Sequence, residues 1–258
     1  MKPCYLRVAR VVITLAVGVL SSAVAIHSFM VVHDSDRLPV CDAAKNGFES
    51  HRFALDICHG RPVEALRHLN EQGQWPFAYS LLQFPFLVAG EWTGLSSFTS
   101  ASLLSGACFA VIPLLLLSIA FSADCGWRGI FAGALAAGIF LTSPVFRLYA
   151  LLIMRELPGV ALTLSSFMAY SRARRIGSCG AYCLASVVAL LLFFLKYNYG
   201  LIWIVSVVVV EVAELSVTSR RRLLDWLKGL VLPLGRGSLF TRVRCVGLTI
   251  YVGLLVTC

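Results

Sequence analysis

The sequence predicts an all-α, polytopic integral membrane protein with about six to seven transmembrane helices and a long outer first loop containing short interfacial helices. Three observations predict it. Apolar residues make up 59% of the 258-residue chain and charged residues only 14%, with a mean hydropathy of +0.83, whereas soluble domains carry about 25% charged residues. Apolar runs approaching the roughly 20 residues that cross a bilayer recur along the chain. The 22 basic residues, nearly all arginine, gather in short clusters between those runs. A net charge of +9 is also what a nucleic-acid-binding chain would show, but these clusters sit where positive charge orients helices in a bilayer. Membrane lipids are therefore the expected partner, and nucleic acid is not.

The first span is expected over residues 11–30, preceded by Lys2, Arg7 and Arg10. Its charged start and apolar centre match a signal peptide, but no small-residue cleavage site precedes the polar loop, so it is read as a retained helix. The loop opens with His33-Asp34-Ser35-Asp36, and residues 32–75 hold seven of the chain's thirteen acids. Residues 77–90 are apolar, short and interrupted by Pro85, which fits a re-entrant or interfacial segment within an outer loop spanning 32–97. Further spans are expected over 98–121, 129–143 (ending at Pro144), 157–170, 176–195 and 201–217, with a last one starting at Val243. Residues 147–156 read as a polar interruption, and the cluster Ser171-Arg-Ala-Arg-Arg175 closes the fourth span.

Charge fixes the expected orientation. With the amino terminus cytoplasmic, fourteen basic residues and two acids, Asp124 and Asp225, fall inside, against eight basic and nine acidic residues outside. That asymmetry places Asp34, Asp36, Glu156 and Lys196 on one outer, periplasmic or lumenal, face. A carboxylate at a partly dehydrated interface has a raised pKa and accepts a proton from a hydroxyl, while Lys or Arg beside it binds phosphate. Asp36 and Glu156 supply the acids and Arg37, Arg155 and Lys196 the cations. Glu156 stands out because an acid between apolar segments is costly to place, although pairing with Arg155 or Arg147 would explain it equally. Asp34 and Asp36 also fit ordinary solvated loop residues, and Lys196 a snorkelling lysine. Glu211 and Glu214 fit pairing with the arginines that follow them.

The cysteines and histidines of the loop (Cys41, His51, Cys58, His59, His68) match no zinc spacing, so no metal site is expected from them. Cys41 and Cys58, both on the oxidising side, are a candidate disulfide. Residues 61–69 show helical spacing of Val63, Leu66 and Leu69, as in a helix lying on a membrane surface.

One run of segments carries a family resemblance: an acid just beyond the first span, Ala43-Ala-Lys-Asn-Gly-Phe-Glu49, Trp75-Pro76, Leu141-Thr-Ser-Pro144, Met154-Arg-Glu-Leu-Pro158 and Leu195-Lys-Tyr197. Together they resemble the amino-terminal part of the GT-C membrane glycosyltransferases, in particular relatives of the protein O-mannosyltransferases and the aminoarabinose lipid A transferase. The resemblance covers essentially residues 1–258 as one transmembrane domain, incomplete at the carboxyl end, because family members continue with further spans. It implies transfer of a sugar, with inversion, from a dolichyl- or polyprenyl-phosphate donor to a hydroxyl of a lipid, glycan or protein acceptor. The expected catalytic acids are Asp36 and Glu156, with Asp34 the alternative to Asp36. Lys196, Arg155 and Tyr197 are the expected lipid-phosphate partners. Where the family carries an Asp-Glu pair, this chain has Asp36-Arg37. The resemblance requires no cofactor and leaves room for a divalent cation; it places the chain in a bacterial inner membrane. A transporter, or a non-catalytic or inactive truncated relative, explains the spans and charge pattern as well, since intramembrane acids also couple protons.

Overall fold

The computed structural model describes residues 3–33, 42–71 and 77–210, and all secondary structure among them is helical. Asp34, Asp36, Arg37, Cys41, Trp75-Pro76, Glu211, Glu214 and everything expected beyond residue 210 lie outside the described residues. In order come α1 (Pro3–His33), α2 (Asp42–Cys58), α3 (Pro62–Glu71), α4 (Ala78–Thr93), α5 (Ser97–Ala123), α6 (Trp127–Thr142), α7 (Pro144–Leu151), α8 (Glu156–Ile176) and α9 (Cys179–Leu195), then α10 (Tyr197–Val210). The chain divides within α8 into two compact units, Met1–Ser165 and Ser166–Cys258.

In the first unit α1, α5 and α6 form an antiparallel bundle. Ser21 Oγ donates to Ala110 O at 3.1 Å, Gly18 faces Leu114, and Arg10 reaches the Cys125 carbonyl with its guanidinium 5.5 Å from the Phe121 ring. As the α1 number rises, the α5 number falls. Arg10 thus supplies a cation to the carbonyl end of α5, where the helix dipole favours it. The start of α5 is set by Ser96, whose hydroxyl accepts from Thr99 N at 3.2 Å as an N-cap. The α5–α6 turn is closed by Asp124 Oδ1 accepting from Gly126 N at 2.5 Å. Gly133 of α6 then packs against Ala120 and Leu117. A core of Phe109, Ile112, Phe140, Leu141, Ala150, Leu157 and Ala161 fills the opposite end.

α1 and α5 are each long and apolar enough to cross a membrane, and α6 with α7 makes a third crossing if the pair counts as one span bent by 61°. Pro144 causes the bend. It occupies the first position of α7, where its missing N–H costs nothing, and Arg147 Nε covers the Leu141 carbonyl at 2.8 Å. Residues 147–156 are therefore a short helix plus an extended break, rather than a simple polar interruption. Helices α8, α9 and α10 lie where the fourth, fifth and sixth spans are expected, but none of the three is long and apolar enough to count as a crossing. Of these α9 and α10 are apolar but shorter than a crossing, and α8 carries Glu156 and three arginines.

The described part of the expected outer loop consists of α2, α3 and α4, with α4 packed on both α2 and α5. The apolar stretch with Pro85 is the continuous helix α4, ended by Gly94 at φ 72° with Leu95 N bonding Gly90 O at 2.9 Å. A Cβ added at Gly90 would lie 2.5 Å from Ser100 Cβ and nearer still to its Oγ. Gly90→Ala is thus expected to destabilise the protein by about 1–3 kcal/mol through overpacking. Thermal melting in detergent measures this, and the double variant with Ser100→Gly should cost less than the sum of the two single changes. α3 forms where the spacing predicted a helix, but it turns Val63 and Leu66 outward and buries Ala65 and His68. Its anchor is polar: His68 Nδ1 meets Asp56 Oδ2 of α2 at 2.6 Å, Arg61 reaches Asp56 Oδ1 at 2.9 Å, and Arg52 meets His68 Nε2. Cys58 is exposed as a free thiol at the end of α2.

In the second unit, Tyr170 and Ala173 of α8 pack with Tyr182 and Ala185 of α9 and Val207 of α10. Trp203 sets its ring edge-on to Phe167 and Tyr170. The arginines predicted to close the fourth span stand in the last turn of α8, where the helix dipole favours cations. Gly177, at φ 69°, ends α8, and Ser178 caps α9 through Ala181 N at 3.2 Å.

Candidate functional site

The site is built around the break between α7 and α8. Helix ends leave carbonyls without helical partners, and among apolar helices such groups have to be satisfied by protein. Three successive carbonyls of the break are satisfied by side chains from three different helices. Ser105 Oγ of α5 donates to Leu152 O at 2.8 Å, Asn46 Nδ2 of α2 to Ile153 O at 3.2 Å, and Tyr79 OH of α4 to Met154 O at 3.3 Å. Gly47 allows the close approach of α2, since a Cβ there would meet Phe98 and Ile153 at 3.2 and 3.3 Å. Gln83, fully buried, donates both to Tyr79 OH at 3.1 Å and to Ala101 O at 3.0 Å. Burial pushes the Tyr79 phenol well above its ordinary range, so it stays a proton donor.

The next residue is Arg155, 6% exposed, with its guanidinium carbon 5.5 Å from the centre of the Tyr79 ring. Its carbonyl accepts from Gly159 N at 2.8 Å in the first turn of α8. Burial lowers the Arg155 pKa, and Glu49, Tyr79, Glu156 and Asp42 counter that shift. A guanidinium nevertheless stays charged in proteins, so a desolvated cation is held here with carboxylates from α2 and α8 around it. Glu49 is held above its ordinary carboxylate pKa, first by burial, against the opposing pull of Lys45 and Arg155.

That direction carries a sign. An acid whose pKa is raised by folding binds more protons folded than unfolded, so its stabilising contribution is present at low pH and is lost as pH rises from about 4.5 through the raised value. Glu49→Gln is therefore expected to melt above the wild type at neutral pH, with the gap closing below that window. A pH series of melting curves for the two proteins checks it.

The expected site residues are distributed as follows. Glu156 opens α8 beside Arg155, in the first turn, where a carboxylate is favoured. The antiparallel packing of α1 on α5 puts the break at the same end of the bundle as His33, α2 and α4. Lys196 and Tyr197 belong to the second unit: Lys196 ends α9 with its ammonium 4.7 Å from the Tyr199 ring centre, and Tyr197 stands edge-on to Phe193. Asp34 and Asp36 are outside the described residues. Sequence reasoning missed Glu49, Asn46, Tyr79, Gln83 and Ser105. A signal existed in α2, where Asp42, Asn46 and Glu49 recur at helical spacing, and in α4, where a lone Gln sits one turn after a Tyr in an apolar run. Among the described residues no group of three or more His, Cys, Asp or Glu side chains is arranged to hold a metal ion. Comparison with protein families, with curated proteins and with solved structures finds no match for this chain.

Proposed function

We propose that the protein is a membrane glycosyltransferase of the GT-C type, with six to seven spans in a bacterial inner membrane and a cytoplasmic amino terminus. It transfers a sugar from a polyprenyl-phosphate donor to an acceptor hydroxyl on the outer face. The observation that supports this reading is the buried Arg155, a preformed cation with carboxylates on two sides, at the bundle end that carries α2 to α4. In the reaction the acceptor oxygen attacks the anomeric carbon, the carbon–oxygen bond to phosphate breaks, and polyprenyl phosphate leaves. The hydroxyl proton goes to a carboxylate, Asp36 or its neighbour Asp34, with Glu156 orienting the acceptor. Arg155 takes the phosphate, whose bidentate match to a guanidinium is strong in a water-poor site.

The test is purified protein in liposomes with labelled polyprenyl-phosphate sugars and hydroxyl acceptors. Acceptor-dependent release of polyprenyl phosphate supports the reading, and Asp36→Asn is expected to abolish that release without impairing membrane insertion. The bent α6–α7 pair favours a second reading, a transporter, because broken helices also build carrier sites. Sugar flux across the liposome without polyprenyl phosphate release would decide for the carrier.

A further inference from the structure

The amino-terminal end of α1 carries positive charge that the described residues do not balance. Arg7 and Arg10 stand one turn apart on α1, and Arg10 reaches the Cys125 carbonyl where α5 has ended. Arg128 stands in the first turn of α6, three residues beyond Cys125, so the three arginines share that end of the bundle. Arg10 is half-buried and positioned by two groups, neither of them an anion: that carbonyl and the face of Phe121, 5.5 Å from its guanidinium carbon. Its Nε is buried without a hydrogen-bond partner. Arg7 and Arg128 are exposed. Among the described residues none of the three is in an ion pair. The acid of the α5–α6 turn, Asp124, is committed to Gly126 N within the turn.

One helical turn further into the bundle the surface becomes apolar. Val11 follows Arg7 on α1 and Phe131 follows Trp127 on α6, each four residues on, and they are 58% and 71% exposed, with Trp127 itself half exposed. α1 and α5 are long and apolar enough to cross a membrane, which puts this end of the bundle at a bilayer surface, where Trp sits at headgroup level. Cations at that level above exposed apolar side chains match one molecule at both depths, phosphate above and acyl chain below. A free phosphate would use only the upper half. A zwitterionic headgroup brings an ammonium that three arginines repel. We propose that Arg7, Arg10 and Arg128 bind the phosphodiester headgroup of an anionic phospholipid, whose acyl chains lie against Val11 and Phe131. Arg10, held by Cys125 and Phe121, is the fixed element, and Arg7 and Arg128 meet the phosphate from α1 and α6 with guanidinium forks. The site lies at the opposite end of the bundle from Arg155 and does not depend on the reaction proposed there.

The full chain in detergent is titrated with phosphatidylglycerol and with phosphatidylcholine of the same acyl chains, and bound lipid is read by native mass spectrometry. The wild type is expected to bind the anionic lipid at least about tenfold more tightly, since each basic residue at a charged membrane surface contributes about a factor of five. Arg7→Gln and Arg128→Gln remove exposed charges and leave the Arg10 contact between α1 and α5 intact. Each should lower the preference about fivefold, while Arg7→Lys and Arg128→Lys, which keep a phosphate-binding charge, should hold it within about twofold of the wild type. Arg67→Gln removes an exposed arginine of α3 at the other end of the bundle and should leave the preference unchanged. An equal loss in Arg67→Gln would make the preference an effect of net charge and overturn the site. So would a wild type without preference, or a full preference in the double variant Arg7→Gln with Arg128→Gln. Glycerol 3-phosphate is then added as a soluble competitor: its failure to displace the lipid supports a lipid site, and displacement overturns it in favour of a free phosphate.

Discussion

Arg155→Ala is expected to lower sugar transfer on the order of 10²-fold or more, as loss of one preorganised charge-stabilising group does in other water-poor sites. The loss should appear in donor binding and in turnover, because in the proposed reaction the guanidinium holds the phosphate before and during departure. Arg155→Lys keeps the charge but not the planar fork and should remain at least about tenfold below the wild type. The change also has a folding consequence, since it leaves Glu49 facing no cation from the break. Without that cation the partly buried Glu49 carboxylate is costlier to keep charged. Arg155→Met combined with Glu49→Gln should therefore melt above Arg155→Met alone while staying inactive. Melting curves recorded beside transfer rates separate the two effects. An Arg155→Ala protein with near-normal turnover would remove the residue from the mechanism.

Asp56→Ala is expected to cost about 1–3 kcal/mol, the range for leaving a buried hydrogen-bonding group without its partner. Asp56 is 4% exposed and receives His68 and Arg61 on separate oxygens, so its loss strands the buried His68, while the exposed Arg61 turns to water. Arg52 faces the other ring nitrogen of His68, which makes that nitrogen the acceptor and puts the ring proton on Nδ1, towards Asp56. Without the network the buried anchors of α3 are Ala65 and a half-satisfied His68. Hydrogen exchange should consequently rise across α3 and the second half of α2 while α5 and α6 stay protected. A much smaller loss in Asp56→Ala combined with His68→Leu would show that the cost comes from stranded polar groups rather than from missing charge attraction.

Several features of the fold are legible because their causes are local. Ser96 and Ser178 cap the helices that follow them, Pro144 ends α6, and Gly94 and Gly177 end α4 and α8, each within one turn of its own sequence. Apolar run length likewise announces α1 and α5 as crossings. The placement of α3 was legible but its face was not. Val63 and Leu66 gave the helical period, yet the surface that docks is set by Asp56 and His68 on two helices, a pairing that periodicity within one helix does not carry.

The candidate site divides in the same way. Glu156 and Arg155 stand out in the sequence because charges next to apolar runs are expensive, whatever surrounds them. Glu49 does not stand out, being one acid among several in a polar stretch. Tyr79 and Ser105 read as members of apolar helices, and Asn46 as a loop residue. What makes them a site is the satisfaction of Leu152, Ile153 and Met154 by side chains 47, 107 and 75 residues away along the chain. The sequence by itself determined a helical, membrane-type chain, the break at Pro144 and the two charges at the start of α8, because these follow from composition and from interactions within a turn or two. Only the tertiary structure decided that Arg155 is buried, that Glu49 is the α2 acid acting most strongly on it, and that α2, α4 and α5 converge there. The physical reason is that hydrogen-bond satisfaction and desolvation depend on which distant groups share a volume, and neither is encoded in the local pattern of any one segment.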